Sequence, residues 1–137
     1  MQAFSIEELI PQRPPFVMVG RLISYGADGF SSSFSIDKEN LFVKNGYFQE
    51  EGMIENIAQT AAAGAGYGFK INKQDVKLGY IGAVKNAIII KRPAIGTTIR
   101  TDIKILNKVF NVDIIEGKIF NENNELLASC EMKIFID

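Results

Sequence analysis

The sequence predicts an α+β domain in which a curved antiparallel sheet wraps around one central helix. Three observations predict it. The chain has a single long helical stretch, Met53 to about Phe69. Two strand-like segments precede that stretch and about four follow it. The second half of the helix, Ala61-Ala62-Ala63-Gly64-Ala65-Gly66-Tyr67-Gly68, carries small residues on every face. Each glycine costs roughly 1 kcal/mol of helix propensity, so close packing from more than one side has to offset it. A helix ending near Gly64 is the alternative.

The elements follow in order. Ser5-Ile6-Glu7-Glu8 has the form of a capping box, and the short helix it starts must stop before Pro11. Phe16 to Ile23 and Phe30 to Ile36 are apolar, β-branched or aromatic runs separated by Gly26-Ala27-Asp28-Gly29, which predicts a hairpin. Asp37 to Glu51 is polar and turn-rich and is expected to be a loop. Glu50, Glu51 and Glu55 suit the positive start of the helix that follows. Leu78 to Lys91 gives one long strand or two. Ile99, Thr101, Ile103 and Ile105 alternate with Arg100, Asp102 and Lys104, as in a half-buried strand, with a turn expected at Asn107-Lys108. Asn121 to Asn124 is a further turn. Leu126, Ala128, Cys130, Met132, Ile134 and Ile136 then form one apolar row, in which Cys130 is a small core residue.

At 137 residues the chain is one domain, 1–137, long enough to bury a core. The net charge of −1, with acids and bases interspersed, leaves no basic footprint for nucleic acid and no polybasic patch for a membrane. The longest apolar stretch, Ile57 to Phe69, is interrupted by Gln59 and is too short to span a bilayer. A single cysteine and an N-terminus without a signal-peptide pattern suit a reducing cytoplasm. No metal-ligand spacing, P-loop or dinucleotide motif occurs, so neither metal nor cofactor is expected.

Asn45-Gly46-Tyr47-Phe48, followed by Gly52-Met53-Ile54-Glu55-Asn56-Ile57-Ala58-Gln59, resembles the active-site stretch of the hotdog-fold β-hydroxyacyl-ACP dehydratases. That family carries a G-H-F turn and then a buried helix opening G-x-x-x-x-E and running into A-Q. Ile10-Pro11-Gln12-Arg13-Pro14-Pro15-Phe16-Val17-Met18-Val19-Gly20-Arg21-Leu22 is similar to its L-P-H-R-x-P-F-L-L-V-D-R-V segment. Tyr80-Ile81-Gly82-Ala83 and Lys91-Arg92-Pro93-Ala94-Ile95-Gly96 are similar to its strand F-x-G and its R-x-P-V-x-P-G. Two features depart: the turn-to-glutamate gap is shorter, and Glu51 replaces the proline before the helix glycine. The chain contains no histidine, and Tyr47 stands at the catalytic histidine's place.

The resemblance implies a hotdog domain and a lyase acting on 3-hydroxyacyl thioesters carried on ACP or CoA, in lipid or polyene biosynthesis. It also implies an acyl carrier protein as partner, and a homo-oligomer or a hetero-oligomer with another hotdog subunit. Glu55 would be the catalytic acid/base; without the resemblance it is a first-turn glutamate suited to the helix dipole. Gln59, one turn on, either orients Glu55 or is a buried amide satisfied by backbone. Gly52 and the amides just after it would hold a thioester oxygen, with Gly82 as a second backbone donor; the alternative for Gly52 is a helix-start glycine chosen for backbone freedom. Tyr47 is either a proton donor or an aromatic wall of the acyl tunnel. As a base it would be poor, since a phenol's reference pKa near 10 leaves about one molecule in a thousand ionised at neutral pH. Gln12-Arg13 has a structural or docking role, and Arg13, Lys85, Lys91 and Arg92 are candidates for a phosphate or an acidic carrier. A thioesterase using Glu55, or a non-catalytic acyl-binding or partner subunit, is the alternative.

Overall fold

Glu8 reaches back to the start of its own helix: its carboxylate accepts from the Ser5 N–H at 3.3 Å and from the Ser5 hydroxyl at 3.2 Å. This helix, α1, spans Ile6–Leu9 in the computed structural model, which describes residues 1–137. The chain continues through β1 (Arg21–Gly26), β2 (Gly29–Ser35), β3 (Val43–Lys44), β4 (Tyr47–Phe48), α2 (Glu50–Ile71), β5 (Gly79–Ile89), β6 (Thr98–Val109), β7 (Val112–Phe120) and β8 (Leu126–Ile136). Six strands form one antiparallel sheet in the order β1-β2-β6-β7-β8-β5, and β3-β4 form a separate ribbon. Helix α2 touches all six strands of the large sheet, so the sheet wraps around it as expected. No helix is long and apolar enough to cross a membrane.

The glycine-rich half of α2 is helical throughout and is approached from several sides. A Cβ on Gly64 would collide with the Phe30 ring, and one on Gly66 with the Leu9 carbonyl oxygen. One on Gly68 would lie 2.8 Å from Tyr25 Oη. Tyr25 in turn stacks on Phe30 with centroids 5.5 Å apart and packs on Tyr67 at 4.7 Å. Gly66→Ala therefore tests the packing directly. Helix propensity alone would favour alanine by about 1 kcal/mol. Collision with a backbone oxygen, which cannot swing aside, should reverse the sign and destabilise by about 1–3 kcal/mol. Urea unfolding of the two proteins reads the difference.

Four local expectations are corrected. The segment from Phe16 is not a strand; pairing begins at Arg21, and the preceding residues are held by helix side chains. The stretch from Asp37 to Glu51 is not all loop. Asn45 and Gly46, with φ of 54° and 84°, turn the small β3-β4 ribbon, as an Asn-Gly pair favours. Helix α2 starts three residues before Met53, with Gln49 as N-cap, and runs two past Phe69. Glutamine is not a usual cap, and the Gln49 side chain donates instead to the Lys44 and Tyr47 carbonyls at 3.0 and 2.9 Å. Asn107 and Lys108 lie within β6, where a bulge between Ile105 and Asn107 carries the strand on to a turn at Phe110.

The last strand behaves as its pattern predicts in the middle: Ala128, Cys130, Met132 and Ile134 are buried. Burial pushes the Cys130 thiol up to about 11, with the Glu131 carboxylate adding to the effect. Strand β5 is different. It pairs only with β8, its other edge is open, and nearly all of its residues are exposed. Tyr80, Ile81, Val84 and Ile88 are among the exposed large apolar side chains. An open strand edge with such a surface has the form that other chains extend or cover.

Candidate functional site

Glu55 lies in the second turn of α2 and is half-buried. Gln59, one turn later and fully buried, donates from Nε2 to Glu55 Oε2 at 2.7 Å. The same nitrogen donates to the Phe16 carbonyl at 2.9 Å, and Gln59 Oε1 accepts from the Met18 N–H at 2.6 Å. Both contacts that the sequence left as alternatives, to Glu55 and to backbone, are thus present. The two backbone groups fix the amide's orientation, so the proton it offers Glu55 has one direction. Asn56, next to Glu55 and fully buried, donates to the Met18 carbonyl at 2.7 Å and accepts from the Thr101 hydroxyl. The helix therefore grips the chain from Phe16 to Met18 with side chains, where the sheet has no strand to do so.

Glu55 and Gln59 open onto a narrow, mainly apolar cavity of about 100 Å³. Its helix wall is the small-residue stripe Ala58, Ala61, Ala62 and Ala65, and Leu78, Gly79 and Ile81 of β5 and the segment before it form another side. Gln12 lines it as well. Phe30, Ala65, Lys77, Ile105, Asp113 and Ile136 line both this cavity and a wider one of about 680 Å³ at the far end of α2. An alkyl chain fits such a space, since small side chains leave room and present little to hydrogen-bond.

Tyr47 is elsewhere. It sits at the start of β4, half-exposed at 49%, and bridges to Ala94. With Lys91, Arg92, Pro93 and Thr97 it lines a separate depression of about 390 Å³ that does not include Glu55. Within one chain, Tyr47 and Glu55 are not brought to a common cavity.

Gly52 is the third residue of α2. A Cβ there would strike the Phe48 ring and lie 2.8 Å from Phe42 Cβ, so close packing accounts for the glycine. The first amide after it, Met53 N–H, already donates to the Gln49 carbonyl at 3.0 Å. Gly82 is exposed on β5, and a Cβ on it would meet the Phe135 ring. Neither glycine lines the Glu55 cavity. Of the candidate anion-binding bases, Lys91 and Arg92 line the Tyr47 depression, and Arg13 and Lys85 do not. Arg13 donates to the Ile10 and Gln12 carbonyls at 2.8 Å and to the Glu7 carbonyl at 3.0 Å, a structural use. Arg92 pairs with Glu50 at 3.0 Å, and Lys85 sits on the β5 edge.

Gln12 is the residue whose place in the site the sequence concealed. Its neighbours in the chain gave it a structural or docking role, and only the fold brings it to the wall of the Glu55 cavity.

A six-stranded sheet around a central helix, with a carboxylate opening onto an apolar cavity along that helix, defines a hotdog protein. More particularly, the chain belongs to the ApeP-like family, described as ApeP dehydratase, whose model matches residues 4–137. Among solved structures, the chain is similar to the dehydratase heterocomplex ApeI:P from Xenorhabdus doucetiae. That match has a TM-score of 0.90 and 15% identity, over 99% of this chain and 93% of that one. It is also similar to the PaaI protein of the E. coli phenylacetic acid degradation operon, with TM-score 0.68 and 10% identity over 83% and 80% of the two chains. A hypothetical thioesterase with coenzyme A from Streptococcus pneumoniae TIGR4 matches with TM-score 0.69 and 6% identity over 85% and 84%. At these identities the solved structures show the shared fold. No curated protein sequence matches the chain.

Proposed function

We propose that the chain is the acid-supplying subunit of a 3-hydroxyacyl-thioester dehydratase of lipid or polyene biosynthesis, assembled with a second hotdog subunit that supplies the base. The observation that carries this reading is Glu55, held by the buried Gln59 where it opens onto the apolar cavity, with Tyr47 in a separate depression; the cavity's other titratable groups, Asp113 and Lys77, also line the wider cavity at the far end of α2. Elimination of water needs two proton-transfer groups. A base takes the C2 proton, and the C–H electrons become the C2=C3 bond. The C3–O bond breaks, and its oxygen leaves as water after receiving a proton. Glu55 in its carboxylic-acid form gives that proton, and the acyl chain lies along the alanine stripe of α2.

The chain has no histidine, so an imidazole base for the C2 proton has to come from another chain. The open, apolar β5 edge is a surface another sheet can extend, and the similar solved structure is of a dehydratase heterocomplex. The carrier of the thioester is an acyl carrier protein or CoA.

The test is product analysis on 3-hydroxydecanoyl-ACP with the chain alone and with candidate hotdog partners. Enoyl-ACP formed only in a mixture supports the reading. Free thiol would make the protein a thioesterase. No conversion in any mixture would leave an acyl-binding subunit, and would sink the catalytic role of Glu55.

A further expectation concerns Tyr47. Its hydroxyl does not share the Glu55 cavity, so Tyr47→Phe should change turnover of the active mixture far less than the roughly 10²-fold cost of losing a general acid or base. A loss of that size would make the phenol a proton donor across the subunit contact.

A further inference from the structure

Two cavities succeed one another along α2, and Ala65 borders both. On the helix, the narrow one of about 100 Å³ is lined by Glu55, Gln59, Ala58, Ala61, Ala62 and Ala65. The wider one, of about 680 Å³, is lined there by Gly64, Ala65, Gly68 and Phe69. Glu55, Ala58, Ala62, Ala65 and Phe69 follow one another at alternating steps of three and four residues, which places them on one face of the helix. All five are half-buried, and every other residue between Glu55 and Phe69 except Gly68 is buried. Accessible space therefore runs along a single face of α2, from the carboxylate to the last turn.

The lining changes where the two spaces meet. Phe30, Ile105 and Ile136 border both with Ala65, and so do the charged Lys77 and Asp113. On the Glu55 side of this junction the wall is mainly apolar. Beyond it, Tyr25 and Phe69 are mixed with Asn72, Gln74, Lys108 and Asn111. Asn72, Lys108 and Phe110 of that lining are exposed, so the wider cavity opens to solvent. A methylene gains from burial in the first space and gains little in the second. At a rise of about 1.5 Å per residue, the helix from Glu55 to Ala65 spans about 15 Å, the length of about twelve methylenes.

Resting on the acyl-thioester reading above, we infer that the two cavities form one acyl track and that Ala65 is the specificity-determining residue that admits long chains. Glu55 acts at C3, so a chain of about fifteen carbons brings its end to Ala65, and the end of a longer chain passes into the wider cavity. A tunnel closed at that point would reject longer chains. An open one accepts them, and the added carbons contribute little because they lie against a half-polar wall and water. The methyl side chain of Ala65 leaves the passage on the helix side, and Ile105 of β6 borders the same passage from the sheet.

The experiment measures binding of octanoyl-, dodecanoyl-, hexadecanoyl- and icosanoyl-CoA to the full chain by calorimetry. These saturated thioesters cannot be dehydrated, so the result does not depend on the elimination step. Affinity should rise about two- to fourfold per carbon up to about fifteen carbons and then level off. Ala65→Leu, which fills the junction, should lower hexadecanoyl and icosanoyl binding by about tenfold or more while leaving octanoyl binding within about twofold. A misfolded variant would lose octanoyl-CoA as well, and Ile105→Phe, which narrows the junction from the sheet, then carries the same comparison. A sharp fall in wild-type affinity for icosanoyl-CoA, a chain-length profile that neither variant alters, or no binding of any chain overturns the inference. Failure of the dehydratase reading is seen separately, in the product assay on 3-hydroxydecanoyl-ACP, as a protein that binds acyl chains in this way and yields no enoyl product.

Discussion

Replacing Glu55 with glutamine is expected to lower dehydration by about 10²- to 10⁴-fold, with little change in stability. The substitution is nearly isosteric and keeps a group that Gln59 Nε2 can bond, so the 2.7 Å contact and the helix around it should persist. What disappears is the transferable proton. The measurement is enoyl product formation by the assembled protein, alongside thermal melting of wild type and variant. Turnover within a few-fold of wild type would move the chemistry away from Glu55. A matching fall in melting temperature would show instead that the carboxylate is structural.

The largest effect on stability is expected one residue further on. Asn56→Leu keeps the side-chain size but removes both polar atoms from a fully buried position. The Met18 carbonyl then loses its 2.7 Å donor, and the Thr101 hydroxyl loses its acceptor. Each orphaned buried group costs about 1–3 kcal/mol, so the sum is about 3 kcal/mol or more, a fall in melting temperature on the order of 10 °C. Because Asn56 and Gln59 together hold the Phe16–Met18 segment, the variant should also loosen the chain that bears Gln12. Hydrogen exchange of the Met18 amide reads that loosening. A melting temperature within about 2 °C of wild type would mean that water satisfies these groups and the network is not structural.

Much of the fold was legible because it is encoded locally. The capping box at Ser5, the alternation in Ile99, Thr101 and Ile103, and the turn at Asn121 to Asn124 depend on residues a few positions apart. The helix with glycines in its second half was legible too, since only a helix packed on several sides retains them. The collisions awaiting a Cβ at Gly64 and Gly66 supply the packing that the composition required. Where the local signal was weak, the boundaries moved. Gln49 gives no cap signature, so the sequence pattern starts α2 late, and the Asn45-Gly46 turn lies inside a polar stretch that reads as loop.

The candidate site divides in the same way. Glu55 and Gln59 are four residues apart on one helix, and that spacing alone brings their side chains together. Nothing local could place Gln12 on the wall of the Glu55 cavity or keep Tyr47 away from it. Those relations depend on the path of the chain between elements: the Phe16–Met18 segment laid along α2, and the β3-β4 ribbon turned toward Ala94. The exposure of β5 is likewise a property of sheet order. Its sequence is largely apolar, yet its position at the sheet edge leaves Tyr80, Ile81, Val84 and Ile88 exposed. The sequence by itself determined the elements, the central helix and the Glu55–Gln59 pair, because hydrogen-bond periodicity fixes neighbours along one helix or strand. The tertiary structure alone decided which distant groups share a cavity and which surface stays open, because burial depends on what the rest of the chain packs against.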